Sequence, residues 1–494
     1  MTSVNTNIGA LVAQDSMSKA SKEMDQAIAR LSSGLRINTA ADDAAGMSIA
    51  SKMEAQSRGL EQAIRNSADA QAMIDTTEGA HDEITNVLQR LRELAVQSSN
   101  DTNTALDRTF LKAETTALIN EIDRIASQTQ WNNLNVLDGT FTSKSFQVGA
   151  NAGQTIAVTV DTAATASIGA FESTSAADIL AAHASNTVTA FAGDITLNGH
   201  LGSSTITVAT SDSAENIAEN TNLVTSSTGI TAEGKTYAEF DTVSADGTVS
   251  FTLGDFDGNT AAISAVVTTT DLSALVTSIN SNAGTTGITA SHNGSDKSTV
   301  MLHSATGDNI TIANFAHSTG SATAKLGAYN FDGAAQVGSD ITLTEAGVAG
   351  DTDSSVVTGE VKFSSVKVFT HTHATGEYFD ATTSATGTIN NIATIDIGTV
   401  AGAKDAIRAI DGALGKINLS RSDLGAVSNR LDSVISNLSN VSTNTKASMS
   451  NIQDADFASE TSKLTRAQIL NQAATSMLAQ ANASKQSVLS LLQG

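Results

Sequence analysis

Both ends of the chain repeat small and apolar residues at alternating steps of three and four, and that spacing constrains the fold more than any other feature. Near the start the steps connect Ala10, Ala13, Met17, Ala20, Met24, Ala27 and Leu31. A second register runs through Ile49, Met53, Gln56, Leu60, Ala63, Ser67, Ala70 and Ile74, then through Thr77, His81, Ile84, Leu88, Leu91 and Ala95. A shorter stretch carries Leu111, Leu118, Ile122 and Ile125. The far end answers with Ala403, Ile407, Ile410, Leu414, Ile417, Arg421, Leu424, Ser428, Leu431, Ile435 and Leu438. Its last register holds Ala467, Leu470, Ala474, Met477, Ala481, Ser484, Val488 and Leu491. A period of about 3.5 residues sustained this long predicts helices packed at a shallow left-handed angle. Ala and Ser at many seam positions draw helix axes together but bury little area, so one isolated pair of such helices is weak. The ends read as elements built to pack against many neighbours. No proline interrupts them, since the chain contains none. No slow prolyl isomerisation therefore delays folding.

Between the first two registers lies RLSSGLRINTAADDAAGMSIA, residues 30–50. A helix face breaks at Gly34, the chain turns through Asn38 and Thr39, passes Asp42 and Asp43, and resumes as an Ala-rich helix. Glycine permits the stop, and Thr39 or Asp42 is expected to cap the next helix. The two carboxylates could suggest acid/base chemistry, but beside a helix N-terminus their charge is stabilised in any case.

Charge divides the chain into three. Residues 1–140 hold 19 acids and 12 bases, and residues 400–494 hold 7 acids and 9 bases. The middle, 141–399, holds 25 acids against 6 lysines, a net −19 of the chain's −24. Two near-balanced arms around an acidic centre suggest that the arms pair and the centre is an insertion. The centre changes period as well. DITLNGHLGSSTITVAT, DGTVSFTLGDFDGN and GEVKFSSVKVFTHTH alternate apolar with polar residues around N-G, D-G and G-D turns, which predicts antiparallel strands and hairpins. STGITAE at 227–233 and TTGITAS at 285–291 each follow a strand and a short helical stretch, and lie 58 residues apart. Two related β-rich modules are expected, with a third, more diverged stretch at 330–395.

Several function classes are disfavoured. The strong negative charge argues against nucleic acid and anionic membranes as partners. No run of about 18 apolar residues is available to span a bilayer. The chain has no cysteine, hence no disulfide or thiolate metal site. MTSVNTNIGALVAQDS has no basic start and only a short apolar run, unlike a cleavable signal peptide. HExxH is absent, and LGKI at 414–417 follows its lysine with isoleucine inside a heptad, unlike a phosphate loop. HTH at 371–373 puts two histidines on one strand face, expected to be exposed and without metal. DFDGN at 255–259 lacks the closing glutamate of a calcium loop and reads as a turn. His81 falls on a seam and reads as a hydrogen-bonded core residue. No catalytic centre, cofactor site or metal site is expected.

Several longer words carry a resemblance. NIGALVAQDS, RLSSGLRINTAADDAAGMSIA, LQRLRELAVQSSN, NEIDRIASQTQWNNLNVLDG and FQVGAN in the first arm resemble bacterial flagellin, the subunit of the flagellar filament. DADFASETSKLTRAQILNQAATSMLAQAN and VLSLLQG do so in the second. The likeness covers about 155 residues at the start and 95 at the end; modules with ITLNG and TGITA resemble small inserts inside many flagellins. ANASKQSVLSLLQG departs from the family in lacking a proline, and Asn451 stands where arginine is usual.

The resemblance implies an α+β chain: terminal coiled-coil α-helices, a long helical bundle and an inserted, variable β-rich centre. The expected divisions are an inner-tube helix at 1–40, an outer bundle at 41–170, surface modules at 171–395, a bundle helix at 396–450 and a second inner-tube helix at 451–494. The inner-tube seam would use Ala10, Ala13, Met17, Ala20, Met24, Ala27 and Leu31 against Leu470, Ala474, Met477, Ala481, Val488 and Leu491. Gly34, Arg36, Asn38, Asp42 and Asp43 would form the connector between layers. Implied partners are further copies of the chain in a helical polymer, the export apparatus and its secretion chaperone, the filament cap and the hook–filament junction proteins. Implied location is outside the cell, on the flagellum. The word LQRLRELAVQ also resembles the segment read by the animal innate immune flagellin receptor, which maps that contact onto Leu88, Gln89, Arg90, Leu94, Gln97 and Glu114. A hook–filament junction protein and a coiled-coil surface adhesin are the alternatives. SMLAQANASKQSVLSLLQG fits the filament subunit better than the first, and an adhesin would need a secretion signal or anchor.

Overall fold

The computed structural model describes residues 6–175, 179–183, 193–209, 212–255, 258–294, 296–345, 352–373 and 384–493; for 179–183 and 488–493 only the backbone is described. The helices are α1 (Ile8–Ser33), α2 (Ala44–Ser98), α3 (Ala105–Gln128), α4 (Ala214–Leu223), α5 (Thr225–Thr228), α6 (Ser273–Ser281), α7 (Ala283–Thr286), α8 (Val400–Gln453) and α9 (Phe457–Gln493). Strands fill the region between α3 and α8. The chain is thus α+β, with helical arms and a β-rich centre. Two compact units are distinguished: residues 1–75 with 143–159 and 424–494, and residues 76–142 with 160–423.

In the first unit α1 packs along α9. Asn7 caps α1 by accepting from the Ala10 N–H at 3.1 Å and donates to the Ala481 carbonyl at 3.2 Å. Residues 44–75 of α2 meet the C-terminal part of α8, where Lys446 pairs with Glu61 at 2.6 Å. A hairpin of Lys144–Gln147 and Thr155–Val158 lies against α2, with Asn66 donating to the Gln147 carbonyl at 3.1 Å.

In the second unit the end of α2 turns into α3 by local polar chemistry. Thr104 and Asp107 form a capping box at the start of α3. Arg108 collects the carbonyls of Ser98, Asn100 and Asn103 at 2.9 to 3.1 Å. The first part of α8 closes on α2 through Arg92 and Asp411 at 2.7 Å, and through Arg421 with Glu78 and Asp82.

The centre belongs to the second unit. Ile230–Asp241, a strand of 12 residues, organises it. One part of this strand pairs with Glu360–Ser365; the other pairs with Asp296–Ser304 on one side and Thr323–Tyr329 on the other, all antiparallel. Its buried residues alternate with more exposed ones, and Phe240 packs against Phe251 and Phe315. A second sheet runs in the order Thr260–Val267, Gly247–Gly254, Ile310–His317, Ser354–Val357, Ile179–His183.

The echo in the sequence is a structural repeat. Gly193–Asn198, Ser203–Val208, α4, α5 and Ile230–Asp241 recur as Gly247–Gly254, Thr260–Val267, α6, α7 and Ile288–Asn293. In both copies the short helix ends at a left-handed glycine, Gly229 at φ 73° and Gly287 at φ 68°. In both, one asparagine bonds the following strand twice. Asn222 accepts from the Ala232 N–H and donates to its carbonyl, each at 2.9 Å. Asn280 does the same to Ala290, at 2.8 and 2.9 Å. These pairs keep the 58-residue offset read from the sequence. The stretch 330–395 behaves differently. Its described residues add strands to the existing sheets, and the only helical element described there is the single turn Ile392–Thr394. In DFDGN, Asp255 accepts from the Asn259 N–H at 2.7 Å and closes a turn; Phe256 and Asp257 lie outside the described residues.

The asparagine bond pair yields a prediction. Asn280→Ala leaves the Ala290 N–H and carbonyl without these partners and costs about 1–3 kcal/mol. Hydrogen exchange should rise across Ile288–Asn293 while the strand Gly193–Asn198 in the other copy stays protected.

Candidate functional site

The α1–α9 pair presents two faces of opposite character. Its seam is lined by alanine: Ala13, Ala20 and Ala27 of α1 are buried, as are Ala467 and Ala474 of α9. Met17, Met24 and Leu31 flank them half-buried, with Ala10 and Ala481. The expected seam positions Leu470 and Met477 are a correction. They are 46% and 64% exposed, and Asn471 and Leu478 turn inward instead. Both registers share Ala467, Ala474 and Ala481 and differ only in whether the intervening step is three or four. Side chains of Val488 and Leu491 lie outside the described residues.

The displaced residues make the second face. Leu470 and Met477 join Ile8 and Val12, 65% and 60% exposed, around a groove of about 670 Å³ that Lys19 and Glu23 flank. Large side chains this exposed on two facing helices form an apolar patch of the kind that marks an interaction surface.

The connector is held by the junction of α8 and α9. Gly34 ends α1 at φ 73°, its N–H donating to the Arg30 carbonyl at 2.9 Å. The Ala455 N–H donates to the Gly34 carbonyl at 2.9 Å, and the Arg36 N–H to the Gln453 carbonyl at 2.7 Å. The Arg36 guanidinium donates to the Ile452 carbonyl. Asn38 ties the turn back to α1 by donating to the Ala29 carbonyl at 3.1 Å. Asp42 accepts from the N–H groups of Asn38 and Thr39, the Thr39 hydroxyl and Gln26. The Thr39 backbone bond foremost, with Gln26 and the Thr39 hydroxyl, holds the Asp42 carboxyl down at about 2. Its contribution to the connector is therefore present above the ordinary carboxylate range and fades as pH falls from about 4 toward 2. Asp42 closes the loop and does not cap α2. Asp43 does that, accepting from the Gly46 N–H at 2.9 Å. Arg30 reaches both sides, 3.7 Å from Asp42 and 3.2 Å from Glu460 of α9.

A third surface lies on the second unit. Leu88 and Leu94 are 0% and 1% exposed, so the structure corrects their expected role: they fill the bundle core and offer no side-chain surface to a partner. Gln89, Arg90, Gln97 and Glu114 do face outward. Arg90 donates to Glu114 through Nε at 3.0 Å and Nη2 at 2.9 Å, and to Glu93 at 2.8 Å. These partners raise its already high pKa, Glu93 first. About half exposed, the pairs add little stability and leave the guanidinium open to exchange partners.

Two further expectations change. His371 and His373 share a strand face, but it points inward: they are 2% and 6% exposed, with rings stacked 5.4 Å apart. His371 Nε2 meets Ser173 Oγ at 2.9 Å, and burial pushes the imidazole down to about 4. His81 is buried as expected, yet both ring nitrogens lack a hydrogen-bond partner among the described residues. Among those residues no group of three or more His, Asp or Glu side chains could hold a metal ion, and no helix is long and apolar enough to cross a membrane.

Comparison with known proteins agrees with this architecture. Residues 4–142 match the bacterial flagellin N-terminal helical region, 407–492 its C-terminal helical region, and 248–306 the flagellin hook IN motif. That motif falls on the second copy of the repeat. The chain is 37% identical over 506 aligned residues to a B-type flagellin of Pseudomonas aeruginosa, covering 99% of each. It is 33% identical to a flagellin of Salmonella choleraesuis and 30% identical to flagellin D of Vibrio cholerae, again covering 99% of both chains. The chain belongs to the bacterial flagellin family, the structural subunits of the flagellar filament.

Gly34 allows a clean test of the connector. A Cβ placed there meets no atom within 4 Å, so Gly34→Ala adds only the strain of φ 73°. The expected cost is about 1–2 kcal/mol. Hydrogen exchange should report it as faster opening of the last turn of α1 and of residues 34–38, with the Ile230–Asp241 strand unchanged.

Proposed function

We propose that this chain is exported and assembles outside the cell, with α1 and α9 forming an inner layer that stacks against the same helices of neighbouring copies. The uncovered groove of Ile8, Val12, Leu470 and Met477 carries this reading, because it is apolar surface that a second copy can cover. Before export, a secretion chaperone would cover part of that surface. A chain without cysteine or proline suits passage unfolded and quick refolding. At the growing end the filament cap would receive it, and the first copies would rest on hook–filament junction proteins. The acidic centre would face solvent. It leaves and rejoins the helical part on adjacent strands, Gly169 pairing with Asn391 and the Ile392 N–H meeting the Ile168 carbonyl at 3.1 Å, as suits an insertion.

Seeded polymerisation tests the inner-layer reading. Val12→Ser with Met477→Ser should slow elongation at least tenfold and raise the critical concentration, while the helicity of the monomer stays within a few per cent of the parent. Normal elongation of the double variant would remove the groove from the assembly.

A second reading concerns the soluble monomer, which we propose is read by the innate immune flagellin receptor through Gln89, Arg90, Gln97 and Glu114. Arg90 is the anchor, since a guanidinium that trades exposed partners for desolvated ones is a frequent hot spot. Arg90→Ala should lower activation in a receptor assay more than tenfold. A variant that signals like the parent contradicts this contact.

A further inference from the structure

His81 occupies the α2 seam between Thr77 and Ile84, all three fully buried. Nδ1 and Nε2 both lack a hydrogen-bond partner among the described residues. A buried polar group in this state is costly, and native proteins rarely retain one without a consequence. Burial is what lowers its proton affinity most, down to about 4.

Charged groups on three segments act on the ring. Glu78 and Asp82 lie on α2 itself, Arg421 on α8, and Asp161 on the segment that follows Thr159. Arg421 is the clamp across this seam: its Nη2 lies 2.6 Å from Glu78 and 2.7 Å from Asp82, and its Nε donates to Glu78 at 2.7 Å. On the same helix, Lys416 interacts with Asp161 and donates to the Ser167 carbonyl at 2.7 Å. The three acids favour a proton on His81, whereas burial and Arg421 oppose it.

We infer that His81 is an acid-operated latch on the α2–α8 seam: the neutral ring lets the bundle close, and the protonated ring puts a cation into the seam beside Arg421 and opens it. Acid then weakens the closed α2–α8 seam. The sign follows from the two states. The unfolded chain takes up this proton near the ordinary value of 6.5, and the closed bundle only near 4. Between those values the unfolded state holds more proton, so stability falls as pH drops through the window and levels off below it. At pH 5 the two values give about a 30-fold weakening of the folding equilibrium relative to pH 8.

The test is denaturant unfolding of the full chain at pH 8 and pH 5, followed by helix signal, for the parent and His81→Leu. Leucine suits a position whose seam neighbours are Ile84 and Leu88. The parent's folding equilibrium should lose about 30-fold more than the variant's between the two pH values. Equal losses overturn the latch. Imidazole resonances of the folded parent give an independent reading, with His81 identified by its disappearance in His81→Leu or His81→Gln. A ring titrating near pH 4 supports the proposal even where the leucine variant folds poorly, and a ring titrating near 6.5 overturns it.

Discussion

Alanine packed on alanine along α1 and α9 is the contact on which the rest of the architecture depends. Ala13, Ala20 and Ala27 recur every seven residues, as do Ala467 and Ala474, and small side chains bring the two helix axes close. The same choice limits what the pair gains, because each buried methyl removes little apolar area from water. Larger side chains at the seam, Met17, Met24, Leu31 and Leu478, are only half-buried. Ile8, Val12, Leu470 and Met477 point away from it, into a groove open to solvent. The pair thus leaves apolar surface exposed, and the proposed inner layer would cover it with the same helices of neighbouring copies.

A pair with so little intrinsic stability must be positioned by something firmer, and polar geometry does that work at the connector. Gly34 and Arg36 fasten the end of α1 to the α8–α9 junction by backbone bonds, while Asp42 gathers the turn and Arg30 reaches Glu460. In the second unit the β-rich centre is seated on α8 in a related way. The Arg408 guanidinium lies against Glu172, Asp332 and Asp405, and shares the ring of Phe331 with Lys235 and Lys362. Burial raises the Glu172 carboxyl, with the neighbouring cations pulling it back. Removing one member would strand the others, so such networks fix one arrangement more than they add stability.

Much of this was legible in the residues because helix and strand write different periods. Seven-residue steps located the arms, the break at Gly34 located the connector, and the 58-residue echo located both copies of the repeat; the Asn222 and Asn280 bond pairs that keep the same offset came only from the structure. The misses have physical causes. Steps of three and four fit two registers through Ala467, Ala474 and Ala481, and only packing against α1 chose Asn471 and Leu478 over Leu470 and Met477. Thr39, Asp42 and Asp43 are all good caps, and which one caps depends on where the helix starts. Alternation placed His371 and His373 on one face but could not say that Phe363 and Phe369 would cover it. The pairing of Ile230–Asp241 with Glu360–Ser365 joins residues far apart in sequence, which no local pattern encodes. Periodicity already set Leu88 on the seam with Leu91 and Ala95; the resemblance nonetheless assigned Leu88 and Leu94 to the contact, and both are buried.

The central claim is that α1 and α9 depend on neighbouring copies for their stability. Hydrogen exchange of these two helices, compared between monomer and seeded polymer, tests it most directly. The account predicts rapid exchange along Ile8–Ser33 and Phe457–Gln493 in the monomer and strong protection in the polymer. Strong protection of both helices already present in the monomer would contradict it.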